Sequence, residues 1–192
     1  MSERKIILDP DLLPEDFRAT ADAAGWELIS ESPPEGLLAL ELIYRAGSEG
    51  TTTVHYNEDP LVKVRYALAR GPQADEVAEE VKAIFAHIPD ESVMEAAEDE
   101  SEGLQSIVSW MLSATVLEDQ AGHQWLHALI EKRLAHENSA VRRAALISVS
   151  WLEWPDFRTS IERMATVDPD EAVRRDAGSL AQAYAMRDSG EI

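Results

Sequence analysis

The sequence predicts an α+β protein, in which a small N-terminal antiparallel β-meander with one helix leads into a short α-helical solenoid. Three observations carry this prediction. Within residues 38–69, two strand-like segments joined by tight turns lead into a strict seven-residue alternation from Val62 to Leu68. From Gln73 onward the apolar spacing is helical. Two stretches near the C-terminus, Leu126–Ala145 (LHALIEKRLAHENSAVRRAA) and Phe157–Ala177 (FRTSIERMATVDPDEAVRRDA), read as near copies. Ile130-Glu131-Lys132 matches Ile161-Glu162-Arg163 at 31 residues, and Val141-Arg142-Arg143 matches Val173-Arg174-Arg175 at 32. A helical unit repeated at that period buries its apolar face only by stacking on its neighbour. The expected division is a small α+β domain over residues 1–71 and a repeat domain over residues 72–192.

In the first part, Pro14 to Gly25 predicts a short helix, with proline at its start and glycine past its end. Trp26 to Ser30 alternates briefly, and Ser32-Pro33-Pro34-Glu35-Gly36 is a loop. Leu38, Leu40, Leu42 and Tyr44 alternate with Ala39, Glu41, Ile43 and Arg45, which is strand periodicity. Gly47-Ser48-Glu49-Gly50 makes a hairpin turn, and Thr51 to Tyr56 has the β-branched and aromatic composition of a strand. Asn57-Glu58-Asp59-Pro60 makes a second turn. After it, residues 61–70 admit two readings. Asp59-Pro60 ahead of Val64-Arg65 mimics Asp168-Pro169 ahead of Val173-Arg174, so another repeat helix is one of them. A helix, however, would spread Val62, Val64, Tyr66 and Leu68 all around its axis, whereas a strand gathers them on one face. The strand is the preferred reading.

Beyond Gln73, Val77, Val81, Ile84, Phe85 and Ile88 predict one face of a helix ending near Pro89. Leu104, Ile107, Val108, Met111 and Leu112 predict the next, and Trp125, Leu126, Leu129, Ile130 and Leu134 another. Residues 140–152 are apolar on nearly every side, as in a helix enclosed by neighbours. Phe157, Ile161 and Met164 mark a shorter helix. Asp168-Pro169-Asp170-Glu171 then offers an N-cap, a proline and an acid ahead of a last helix with Val173, Ala177, Leu180, Ala181 and Tyr184 inward.

The patterns D-P-x-x-x-V-R-R-x-A at Asp168–Ala177 and N-S-A-V-R-R-A-A at Asn138–Ala145 resemble the HEAT repeat, most closely its short bacterial, phycobilin-lyase-like variety. The resemblance covers residues 121–186, weakens over residues 90–120 and does not extend to residues 1–71. It implies that Asp168 acts as a helix cap, that Val141 and Val173 enter the core, and that Arg142 and Arg174 reach the acids of a neighbouring repeat's loop. It implies a fold more than a function, because such scaffolds host many activities.

Charge narrows the function further. The chain has 37 acidic and 17 basic side chains, a net charge of −20. Such a chain is a poor candidate for binding nucleic acid or an anionic membrane surface, and a good one for attracting a basic protein. No Lys or Arg lies between Lys82 and Lys132, and that window contains Asp90, Glu91, Glu95, Glu98, Asp99, Glu100 and Glu102. These acids and Trp154, set at a proline corner, are the candidate partner-binding residues. Without a compensating base their mutual repulsion is expected to cost stability. The competing reading assigns the acidity to solubility or to a salty environment. His123 and His127, one helical turn apart, suggest a metal-dependent enzyme as an alternative, but His123 to Glu131 climbs about 12 Å along a helix, too far for one ion. No phosphate-binding, dinucleotide or nucleophile motif occurs. The expectation is therefore a non-enzymatic interaction module without cofactor or metal, of which a toxin-immunity or adaptor protein is one form. There is no cysteine, no signal-peptide-like N-terminus and no apolar run of roughly 18 residues, which leads us to expect a cytoplasmic protein.

If Val141 and Val173 are core residues, Val141→Asp and Val173→Asp each destabilise by about 3 kcal/mol or more. For a chain of this size that is a fall in Tm on the order of 6–12 °C. A thermal melt within a degree or two of wild type would place these valines outside the core.

Overall fold

The computed structural model describes residues 2–35, 39–101 and 103–190. Gly36 and Leu38 of the predicted loop and strand, and Glu102 of the acidic window, lie outside the described residues. The first elements are β1 (Glu3–Leu8), α1 (Pro14–Ala23), β2 (Glu27–Ser32), β3 (Leu40–Ala46), β4 (Thr52–Asp59), β5 (Val64–Arg70), α2 (Ala74–Ile84) and β6 (His87–Ile88). The six strands form one antiparallel sheet in the order β2-β3-β4-β5-β1-β6. The predicted meander is β2 to β5, and residues 64–70 are a strand, in register with β4 from Asp59↔Val64 to Thr53↔Arg70.

β1 was not anticipated as a strand. It pairs with the far edge of β5, Ile6 opposite Ala67 and Ile7 opposite Tyr66. Its run Ile6-Ile7-Leu8 does not alternate because both faces of the sheet are covered here, so successive side chains all need to be apolar. Ile6 and Leu8 enter one core, and Ile7 enters the other. β6 is only two residues long, so the outer edge of β1 is unpaired at Lys5. The side chain of Gln120 closes it, accepting from the Lys5 N–H and donating to the Lys5 carbonyl.

One face of the sheet carries α1 and α2. Phe17 of α1 stacks on Phe85 with ring centroids 4.1 Å apart, and Trp26, Tyr44 and Tyr56 surround them. Trp26 Nε1 donates to Glu80 of α2 at 3.0 Å. The helix predicted to run to Pro89 stops at Ile84, because Phe85 turns into extended backbone and feeds β6. Ile88 is therefore in a strand, and Ile84 is 38% exposed. The edge strand β2 is exposed along its whole length, and its register with β3 shifts at Ile29.

The other face carries the remaining helices: α3 (Asp90–Glu98), α4 (Leu104–Val116), α5 (Glu118–Ala121), α6 (His123–Leu134), α7 (Ser139–Leu152), α8 (Arg158–Val167) and α9 (Glu171–Ser189), with a 3-10 turn at Pro155–Phe157. α3 was not anticipated. α7 lies against α4, α6 and α9, which explains its lack of a polar face, and α8 packs on α9. Val141 and Val173 are fully buried. A buried polar contact joins α4 to α7, where the hydroxyls of Thr115 and Ser148 hydrogen-bond to each other at 2.8 Å. The sheet meets this layer through Ile7, Val62, Val64 and Tyr66, the last edge-on to Trp151 at 6.4 Å.

The two repeated stretches have the same local structure. Asn138 caps α7 by accepting from Ala140 N at 2.9 Å, and Asp170, 32 residues later, caps α9 by accepting from Ala172 N at 2.8 Å. Arg142 donates to the carbonyls of His136 and Glu137, and Arg174 donates to those of Asp168 and Pro169. The cap is Asp170 and not Asp168, because the Asp168 carboxylate is already occupied. It accepts Nε and Nη2 of Arg142 at 2.8 and 2.7 Å, and the backbone N–H of Asp170 at 2.9 Å. Those hydrogen bonds, that from Arg142 foremost, hold its pKa below the ordinary 3.8. Arg142 thus spans from its own hairpin to the next one.

Because that pair is almost wholly buried, with side chains 8% and 5% exposed, Asp168→Asn strands a guanidinium and costs about 3 kcal/mol at pH 7. Asp176→Asn breaks the outer Arg143–Asp176 pair, where Arg143 is 48% exposed, and costs under about 1 kcal/mol. Urea denaturation of both variants checks the contrast, and equal costs would show that Arg142 does not bind the hairpins together.

Candidate functional site

The acidic window folds into α3 and the turn after it. Asp90 and Glu91 occupy the first turn of α3, where carboxylates complement the N-terminal dipole. Val93 and Ala97 face the core, which leaves Glu91, Glu95 and Glu98 on the outer face at spacings of four and three. The predicted residues are therefore brought together, but most of them already serve the fold.

Asp90 is partly buried, and desolvation raises its pKa, with a hydrogen bond from Gln120 acting the other way. Glu98 Oε1 accepts from the indole N–H of Trp125. Asp99 accepts from Ser101 N at 2.7 Å, and hydrogen bonding to Ser101 holds its carboxyl below the ordinary range. Glu100 receives Lys132 Nζ at 2.8 Å and the guanidinium of Arg133. The hydrogen bond from Lys132 is the largest cause of its lowered pKa. Among the described members of the window, only Glu91 and Glu95 have no partner among the described residues.

This corrects the expectation of an uncompensated, self-repelling cluster. The window lacks bases in sequence but not in space, because α6 brings Lys132 and Arg133 across to it. Arg133 is the largest fully buried side chain among the described residues. Its Nη2 donates to the Ala97 carbonyl at 2.7 Å, which pins the last turn of α3. Its Nε has no partner. Sequence reasoning missed this residue because nothing local distinguishes Arg133 from Lys132. The one available clue was its position among inward residues, three after Ile130 and one before Leu134.

Trp154 is half-buried at the α7–α8 corner and packs inward. Its ring lies 4.1 Å from that of His123 and stacks parallel to Phe157 at 6.2 Å, and its carbonyl accepts from Tyr184 OH at 3.0 Å. It works as a pillar between α6, the corner and α9. His127 stacks on Phe157 at 4.5 Å, so both candidate metal ligands have aromatic neighbours. Their rings are 6.1 Å apart, and the carboxylates nearest them, Asp156 and Glu131, are at 3.7 and 3.8 Å. Among the described residues no group of three or more His, Asp or Glu is placed to hold a metal ion, and no helix is long and apolar enough to cross a membrane. Comparison of the chain with protein-family models, with curated proteins and with solved structures finds no match.

The Glu100 clasp predicts a pH-dependent loss of stability. The folded pKa of Glu100 lies below its ordinary 4.5, so its contribution is fully present above 4.5 and is lost as pH falls through the lower folded value. Glu100→Gln is expected to lower Tm at pH 7, and the gap from wild type is expected to close on acidification below 4.5. A gap that stays constant from pH 7 to the acid limit of folding, or no gap at pH 7, would remove Glu100 from the structural clasp.

Proposed function

We propose that this chain is a non-enzymatic protein-interaction module, in which a short HEAT-like solenoid on an antiparallel sheet holds a basic protein partner at the outer face of α3. The observation that carries this reading is the state of the charges. Among the described residues every Lys and Arg has an acidic partner except Lys63, Arg163 and Arg174. The internal cations are thus nearly all spent, and the acids in excess of them are left for solvent ions or for a basic partner to balance. Among the described members of the window, Glu91 and Glu95 on α3 are free to take part. Such a field speeds association more than it tightens the final complex.

The solenoid reading rests on the matched caps and matched arginine contacts of α7 and α9. The helix α3 joins that layer through its arginine-held end. Neutralising a basic toxin is one use of such a module.

Two variants of equal net charge separate the proposal from a general role in solubility. Glu91→Lys/Glu95→Lys reverses the α3 face. Asp11→Lys/Glu49→Lys reverses two exposed, unpaired acids elsewhere. The immobilised protein is challenged with extract of its own cells at low salt and eluted with a salt gradient. A basic protein retained by wild type and by the second variant, but lost from the first, is the expected result. Equal loss from both variants, or no basic protein retained by wild type, overturns the α3 assignment.

A further inference from the structure

A cavity of about 620 Å3 lies between the sheet and α4, within the size range of small-molecule sites. Its walls are apolar where the two layers meet: Ile7 of β1, Val64 of β5, Ile88 of β6 and Trp110 of α4. Four polar side chains on its lining, those of Lys63, Ser109, Trp110 and Ser113, make no hydrogen bond or ion pair with any described residue. Ser113 is 7% exposed, and its hydroxyl has no partner among the described residues. The indole N–H of Trp110 has none, whereas those of Trp26 and Trp125 each meet a glutamate.

The charges around this cavity select what it holds. Glu58 is taken by Arg65 and by Tyr56 OH. Asp59 accepts from the backbone N–H groups of Leu61 and Val62 at 2.8 and 3.0 Å. Glu58 is thus neutralised by Arg65 and the Asp59 carboxylate is turned to its own backbone, and Lys63 forms no ion pair among the described residues in a chain of net charge −20. Lys63 is also held at φ +56°, one of two non-glycine residues with positive φ among those described, in a turn closed by its N–H on the Asp59 carbonyl at 2.8 Å. The turn fixes the point at which the Lys63 side chain leaves the β4–β5 hairpin, on the lining of the cavity.

Unpartnered donors, one free cation and apolar walls fit an acceptor-only, negatively charged head on an apolar body. From this geometry we infer that the cavity binds an amphipathic carboxylate, its chain between the sheet and Trp110 and its head at Lys63, with Ser113 as a donor inside. The site is separate from the acidic face of α3, and it stands or falls independently of a protein partner.

Dodecanoate below its micelle concentration is the probe, titrated into the full chain by calorimetry, with dodecanol as the uncharged control. We expect saturable one-to-one binding with a Kd on the order of 10 μM. Lys63→Asn removes the cation with a residue that tolerates positive φ, so the turn is kept. This variant is expected to bind dodecanoate about tenfold more weakly and dodecanol as wild type does. The chain's position is read with 11-bromoundecanoate, whose bromine quenches nearby indoles. Quenching is expected in wild type and largely absent in Trp110→Phe, which still binds by calorimetry. Binding that does not saturate, dodecanoate affinity indifferent to Lys63→Asn, or quenching indifferent to Trp110→Phe would each overturn the assignment.

Discussion

The whole arrangement depends on a sheet that is buried on both faces at β1 and β5. Val64 and Tyr66 serve the core shared with the helical layer, while Ala67 and Ala69 serve the core under α1 and α2. Side chains alternate with period two, so one register fixes both cores, and a slip of one residue would exchange them. The sizes make that exchange costly. Tyr66 meets Trp151 on the helical side, and the alanines leave room for the close approach of α2 on the other. A slipped strand would press a tyrosine into space shaped for an alanine, and overpacking of that kind is destabilising in itself.

Within the helical layer a single device recurs. The C-terminal end of a helix leaves carbonyls without intrahelical donors, and its dipole favours a cation there. The last turn of α3 receives Arg133 from α6, while Arg142 of α7 and Arg174 of α9 reach the loop carbonyls just past the ends of α6 and α8. Each guanidinium presents several donors in a planar fork, so one side chain can satisfy a carbonyl and a carboxylate together. Arg142 and Arg133 do both, with Asp168 and Glu100 as their acids. The two buried cations, Arg133 and Arg142, thereby join segments distant in sequence. Arg174, in the last helix, makes only the carbonyl contacts.

The strand alternation of residues 64–70 was legible because it is a local pattern, and so were the helices around Leu129, Val141 and Val173. The strand at Ile6–Leu8 was hidden, because burial on two sides erases the alternation that marks a strand. Likewise α3 was obscured by its own acids, since its inward residues are only Val93 and Ala97. The pairing of Glu100 with Lys132 and Arg133 joins residues more than 30 apart, and no composition profile reports such a contact. A charge window read along the chain treats neighbours in sequence as neighbours in space. For Asp90, Glu98 and Glu100 that assumption failed, because the layer folds Gln120, Trp125 and Lys132 back onto them. Lys63 and Ser113 line the same cavity for a reason equally invisible in sequence.

The edge strand β2 has a further consequence. An open strand with Leu28 and Ile29 exposed at 37% and 45% is a template for foreign strands. The shifted register at Ile29 interrupts the ladder midway, and Glu27 and Glu31 stand on either side of it, paired with Arg45 and Arg18. An incoming strand finds regular bonding groups for only a few residues at a stretch, beside carboxylates it would have to desolvate. The irregularity that weakens the outermost strand therefore acts as insulation. It makes the open edge of the sheet a poor template for a second copy of the same strand.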